Sequence, residues 1–269
     1  MKEVCADLLA EYTELADLAA TLTPEQWQAT TAFYGWTPWD EIAHLCYFDE
    51  TGLLAVTDAG AFGSDAAAMA QAMAAGKEIS QVTREKYGHM SGAQLLPFWR
   101  ERFTKLVAAL AARDPKDRLP WYGPTMSARS FATARMMETW AHGQDVFDVA
   151  RKRRPGNARL KHIAHIGVTT FGWSFVNRKL PVPAQAPYIE LRAPDGSSWT
   201  WGEPSATEWL KGDALDFCLV VTQRRNPSDT GLRFVGEGAT AWMKIAQCFA
   251  GPPADGPAPG VRKVEYMDA

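Results

Sequence analysis

Between Ser127 and Lys152 the chain carries a helical pattern whose polar residues fall on the face that should look inward. Phe131, Ala134, Glu138, His142, Asp145 and Val149 follow the 3,4,4,3,4 spacing that keeps side chains on one helix face. Apolar residues at its ends assign that face to the interior, and Met136, Met137, Trp140 and Phe147 enclose the other faces. Such a helix folds only at the centre of a packed bundle, and something must compensate its buried carboxylate and imidazole. An uncompensated buried polar group costs about 2 to 7 kcal/mol, and a charge costs more. Glu138 and His142 stand one turn apart, so each can direct a ligand atom at one ion between helices. The same i,i+4 spacing also suits a plain hydrogen-bonded or solvated pair, and spacing alone does not separate the two.

The rest of the bundle is legible from periodicity and caps. Leu8, Leu9, Tyr12, Leu15 and Leu18 mark a first helix over residues 3 to 22, stopped by Thr23-Pro24. Thr37-Pro38-Trp39-Asp40-Glu41 opens a second, running to about residue 56 and carrying His44, which offers a third ligand. A smaller alanine- and methionine-rich helix is expected over residues 66 to 86. Ser91 caps another, to residue 112, with Leu95, Leu96, Trp99, Phe103, Leu106 and Leu110 as its stripe. Three protein ligands leave a position for water or substrate.

After Pro155-Gly156-Asn157 the texture changes, which divides the chain into a helical domain (1–155) and an α+β domain (156–269). The second domain is expected to hold a helix over 160–178 and a hairpin of Tyr188–Arg192 and Ser198–Trp201 around Pro194-Asp195-Gly196. Strands near 207–210 and 232–235 and helices over 213–223 and 240–249 follow. The Pro/Gly-rich tail, 251–260, reads as a loosely packed strap, and 261–267 as a strand.

A net charge of -3 and a pI near 6.0 give no field for a phosphate backbone, which excludes nucleic acid as a partner. The basic run Arg151-Lys152-Arg153-Arg154 reads as a solvated helix end. No uninterrupted apolar stretch suggests a signal peptide or a membrane span, so a cytoplasmic protein without membrane contact is expected. Cys5, Cys46, Cys218 and Cys248 are scattered and expected to be reduced and buried. The eleven tryptophans fill packing gaps or line a pocket for an organic substrate. His162 and His165 lack an acid or a third ligand nearby and are read as packing residues, and His89 lies in a loop-like stretch.

The segments WTPWDEIAHLCYFD and METWAHGQDVFDVA together resemble the mycothiol-dependent maleylpyruvate isomerase family of DinB-like metal-binding bundles. The resemblance implies a DinB-like four-helix bundle followed by a smaller sterol-carrier-like α+β domain. It also implies a divalent ion, usually zinc, on His44, Glu138 and His142, with Asp145 supporting a ligand. The implied activity uses a low-molecular-weight thiol, mycothiol, to isomerise or S-alkylate a small electrophile carrying a carboxylate. Family members often place a Gly-Arg pair where this chain has Thr222-Gln223-Arg224-Arg225, which implies that Arg224 meets the substrate carboxylate, with Arg225 as its rival. The residues alone leave other outcomes open: a hydrolase or hydratase built on metal-activated water, an Fe(II) site, or a sterol-carrier-like binding protein with a structural metal.

Overall fold

The computed structural model describes residues 1–267 of the 269. They form two compact units, Met1–Lys152 and Arg153–Met267, and the fold class is the α+β, two-domain one that the pattern predicts. The first unit contains α1 (Lys2–Ala19), α2 (Pro24–Trp27), α3 (Pro38–Thr57), α4 (Ala59–Ala74), α5 (Ile79–Tyr87), α6 (Gly92–Ala111), the two-residue strands β1 (Arg118–Leu119) and β2 (Met126–Ser127), and α7 (Ala128–Ala150). The bundle proper is α1, α3, α6 and α7: α1 and α3 each pack on both α6 and α7.

Its helices begin where short polar side chains can cap them. Thr37 Oγ1 accepts from the Asp40 amide (3.3 Å) and Asp40 Oδ2 from the Thr37 amide (2.9 Å), with Pro38 at the first helical position. Ser127 Oγ accepts from the Ser130 amide at the start of α7. Leu8 and Leu15 of α1, Ile42 and Leu45 of α3, Leu95 and Leu106 of α6 and Phe131 of α7 are fully buried. Each contributes about 1.5–3 kcal/mol relative to exposure.

A buried polar knot ties the four helices together. Asp49 of α3 accepts from the Tyr12 hydroxyl of α1, from Trp99 Nε1 of α6 (2.8 Å) and from Arg135 Nε of α7 (3.0 Å). Burial lifts the Asp49 carboxyl above its ordinary value, while Arg135 and the neutral donors pull it back.

The alanine-rich segment departs from expectation, being two helices rather than one. Asp58 caps α4 through the Ala61 amide (2.9 Å), the chain reverses at Gly76 (φ +84°), and Gln81 Oε1 accepts from the Glu78 amide (2.8 Å) to start α5. The basic run after α7 is not uniformly solvated either. Arg151 takes the left-handed conformation that ends α7, Arg153 lies over the Tyr266 ring, and Arg154 is buried.

The second unit contains α8 (Leu160–Thr169), α9 (Phe171–Val176), β3 (Tyr188–Arg192), β4 (Ser198–Trp201), β5 (Trp209–Asp213), α10 (Ala214–Val221), a 3-10 turn (Pro227–Asp229), β6 (Arg233–Val235) and α11 (Glu237–Ile245). The sheet order is β4-β3-β5-β6. The β3–β4 hairpin turns at Gly196 (φ +83°), β5 then runs parallel to β3, and β6 is antiparallel to β5. The helix expected over 160–178 breaks at Thr170, whose hydroxyl bonds the Ile166 carbonyl (2.8 Å). The last helix ends at Ile245 rather than 249.

The tail differs twice from expectation. Residues 251–260 are irregular but stitched down: Ala254 O accepts from Gln223 Nε2 (2.6 Å), Pro257 O from Asn226 Nδ2 (2.8 Å), and the Gly260 amide donates to Asp229 Oδ2 (2.7 Å). Residues 261–267 form no strand. Side chains anchor them instead, with Arg262 Nη1 on the Gln223 carbonyl (3.1 Å) and the Tyr266 hydroxyl on Arg225 Nη2 (3.2 Å). All four cysteines are buried and free of disulfides. No helix among the described residues is long and apolar enough to cross a membrane.

Candidate metal centre

The first unit brings His44, Glu138 and His142 together, with one donor atom from each lying within 4.8 Å of the others. Glu138 Oε2 lies 3.5 Å from His44 Nε2 and 3.4 Å from His142 Nε2. The imidazole centroids are 4.3 Å apart. α7 supplies two of the three groups from consecutive turns, and α3, packed beside it, supplies the third. The inward polar stripe on α7 thus meets a matching polar position on α3.

A second carboxylate completes the arrangement, and sequence reasoning had counted it only as a first-turn acid. Glu41, fully buried, places Oε2 at 2.6 Å from His142 Nδ1, and its Oε1 accepts from the Thr31 hydroxyl at 3.2 Å. An ionised carboxylate only accepts, so His142 carries a proton on Nδ1 toward Glu41, which would leave its Nε2 to serve as the donor to an ion at the cluster. The signal was present: Glu41 precedes His44 by three residues and so shares its helix face. Asp145, one turn beyond His142, is also buried, with a carboxylate oxygen within 4.8 Å of the Glu41 and His142 donor atoms.

Burial opposes ionisation of Glu138, but the adjacent His142 and His44 imidazoles outweigh it and hold the carboxyl well below the usual carboxylate range. A quarter of the Glu138 side chain is nevertheless accessible, against 9% for His44 and 6% for His142. The carboxylate is therefore the face of the cluster that water can reach. Aromatic rings close the other sides. Trp36 lies 5.4 Å from the His44 ring and stacks on His142 at 5.8 Å and 15°, Phe33 meets His142 edge-on, and Phe48 lies 4.8 Å from His44.

The donor set can be tested against a metal by its spacing. Zinc bonds of about 2.0–2.1 Å in tetrahedral geometry separate their donors by about 3.3–3.4 Å. Both carboxylate–imidazole separations come close to that value and exceed the usual 2.7–3.2 Å of a direct hydrogen bond. Two imidazole nitrogens and one carboxylate oxygen thus fit a borderline-soft divalent ion.

Arg224 is in the second unit, buried, with Nη1 donating to the Thr222 carbonyl (2.8 Å). Gln223 before it has φ +60°, and the Arg224 and Gln223 amides bond the Leu219 (2.7 Å) and Val220 (2.9 Å) carbonyls, the Schellman closure of α10. His165 accepts from Trp201 Nε1 at 3.4 Å, and His89 is exposed.

A central enclosed helix that presents a carboxylate and an imidazole to an imidazole on its neighbour defines a helix-bundle protein with a two-histidine, one-carboxylate centre. The chain belongs to the mycothiol maleylpyruvate isomerase family. The family model for the mycothiol maleylpyruvate isomerase N-terminal domain matches residues 8–147, and a model described as wyosine base formation matches residues 183–232. The uncharacterized proteins Rv0036c and MT0041 of Mycobacterium tuberculosis (strains ATCC 25618 / H37Rv and CDC 1551 / Oshkosh) are each 43% identical over 251 residues, covering 93% of this chain and 96% of theirs. The crystal structure of the mycothiol-dependent maleylpyruvate isomerase superposes with TM-score 0.55 at 12% identity, covering 87% of this chain and 92% of that one. A histidine-to-alanine mutant of that enzyme gives TM-score 0.56 at 11% identity, over 94% and 95% of the two chains. At such identities the likeness establishes the shared fold.

Proposed function

We propose that His44, Glu138 and His142 hold one divalent ion, zinc, and that the protein is a cytoplasmic thiol-dependent isomerase or S-transferase acting on a small electrophile with a carboxylate. The observation that carries this reading is the convergence of three donors at metal-site spacing, 3.4 and 3.5 Å across the carboxylate. Family membership supports mycothiol as the thiol. When bound, the ion supplies Lewis acidity that makes a neighbouring thiol a thiolate at neutral pH.

The chain's own residues set up that chemistry. Glu41 keeps the His142 proton on Nδ1, Thr31 holds Glu41, and the accessible side of Glu138 is where reactants approach. In an isomerisation the thiolate sulfur forms a C–S bond to a conjugated double bond, and the π pair moves onto the conjugated carbonyl oxygen. The new single bond rotates, the pair returns, and the C–S bond breaks to release thiolate and the trans isomer. In an S-transfer a leaving group departs with the electron pair instead. Arg224 is proposed to hold the carboxylate. Supporting this, Gln223 occupies the left-handed conformation natural to glycine, so Gln223-Arg224 stands where relatives are read to carry Gly-Arg.

Purified protein should carry about one equivalent of zinc by plasma emission spectroscopy, and His142→Ala should lose it. Zinc-loaded protein titrated calorimetrically with mycothiol, glutathione and a simple thiol should give heat with at least one. Absence of metal binding removes the centre, and absence of heat with every thiol removes the thiol reading while leaving the centre in place.

A further inference from the structure

From the His44 ring an unbroken run of aromatic side chains leads away along one wall of the first unit. Phe48 stands one turn beyond His44 on the same face of α3, with ring centroids 4.8 Å apart. Its ring meets Tyr122 at 5.3 Å and Trp121 at 6.1 Å, both from the loop between β1 and β2. Trp121 in turn stacks on Phe62 of α4 (5.8 Å, 14°) and meets Phe131 of α7 edge-on (4.7 Å). Phe62 and Phe131 are buried, whereas Phe48, Trp121 and Tyr122 are only half-buried, so the run has a sealed back and an accessible front.

The wall is held in place from behind. Asp65 of α4 accepts from the Tyr47 hydroxyl (2.7 Å) and the Tyr122 hydroxyl (3.3 Å), which joins α3, α4 and the loop at one carboxylate. With the Tyr47 and Tyr122 hydroxyls committed to Asp65, the wall presents mainly ring surface. This also accounts for α4, which buries only Phe62 and Met69 and contributes little to the bundle core. Besides the two donor histidines, the ionisable groups gathered about the cluster in this unit, Glu41, Glu138 and Asp145, are acidic, and the nearby Arg135 is committed to Asp49. A short doubly charged acid gains little from such surroundings, whereas a flat apolar body gains contact along the whole wall.

We infer that the electrophile bears a planar apolar group, an aryl or extended conjugated chain, seated against Phe48, Trp121 and Tyr122 beside the donor cluster. Phe48 and Trp121 are then specificity-determining residues. The inference rests on the reading of the cluster as the reacting centre, yet the wall can be measured by itself.

The test is a binding competition with two unreactive acids of matched acyl geometry, cinnamate with one carboxylate and a phenyl ring and fumarate with two carboxylates. Binding is followed by calorimetry and tryptophan fluorescence on the full chain. Cinnamate should bind about tenfold or more tightly than fumarate. Trp121→Ser, in the loop, and Phe48→Leu, which keeps an apolar filler in the helix, should each remove most of that preference while zinc stoichiometry stays unchanged. Equal affinities, a preference for fumarate, or a cinnamate preference that survives both substitutions would overturn the wall. Running the titration with and without zinc separates the two readings: a chain that takes no zinc but still prefers cinnamate keeps the wall and loses the metal centre. Zinc binding without the preference does the reverse.

Discussion

At the scale of single residues, the site depends on side chains that hold other side chains. Glu41 fixes the tautomer and orientation of His142 through a 2.6 Å contact. Glu41→Gln should leave the fold intact and weaken zinc affinity about 10- to 100-fold, read by competition with a chromophoric chelator. Asp49 plays the corresponding part for the fold, gathering Tyr12, Trp99 and Arg135. Asp49→Ala leaves the Arg135 guanidinium buried without its counter-ion and should cost about 3–5 kcal/mol in urea unfolding. The double variant Asp49→Leu with Arg135→Met should recover a large part of that loss, because no lone charge remains inside.

At the scale of elements, α7 is the organising helix. It is buried on nearly every side, so polar groups on it must find partners on the neighbouring α1 and α3 rather than water. Its end is closed without glycine: Arg151 sits at φ +53°, with the Lys152 amide on the Phe147 carbonyl (3.1 Å). A left-handed L residue costs about 1–2 kcal/mol, and glycine gives back part of this as lost chain entropy. Arg151→Gly should therefore stabilise the protein by about 0.5–1 kcal/mol, measured as a raised midpoint of denaturant unfolding. The same change at Gln223 should gain less, because it also removes the side-chain bonds to the Ala246 and Ala254 carbonyls.

At the scale of the whole molecule, the core of the first unit is built mainly from α1, α3, α6 and α7, with Trp27, Met69, Tyr87 and Leu119 added at its edges and without help from the donor cluster. A fragment of residues 1–155 is accordingly expected to fold alone, with helical circular dichroism and one zinc per chain. The full-length apo protein should remain folded, and zinc at about a thousandfold its dissociation constant should add about 4 kcal/mol. A chain that melts on chelation would mark the metal as structural instead.

Much of this was written in local pattern. The caps at Thr37, Ser91 and Ser127, the periodicity of the bundle helices and the hairpin at Gly196 are short-range properties, and each became an element near the expected place. Glu138 and His142 were legible for the same reason, since four residues along one helix fix their proximity whatever surrounds them. Where local signals were weak, tertiary forces decided: Gly76 split one alanine-rich helix into two, and side-chain anchors on Gln223 and Arg225 replaced a strand at 261–267. The parallel pairing of β3 with β5, the approach of Glu41 to His142 and the aromatic wall on Phe48 all join residues distant in the chain or on different elements. Sequence spacing governs which side chains share a face; only packing determines which faces meet.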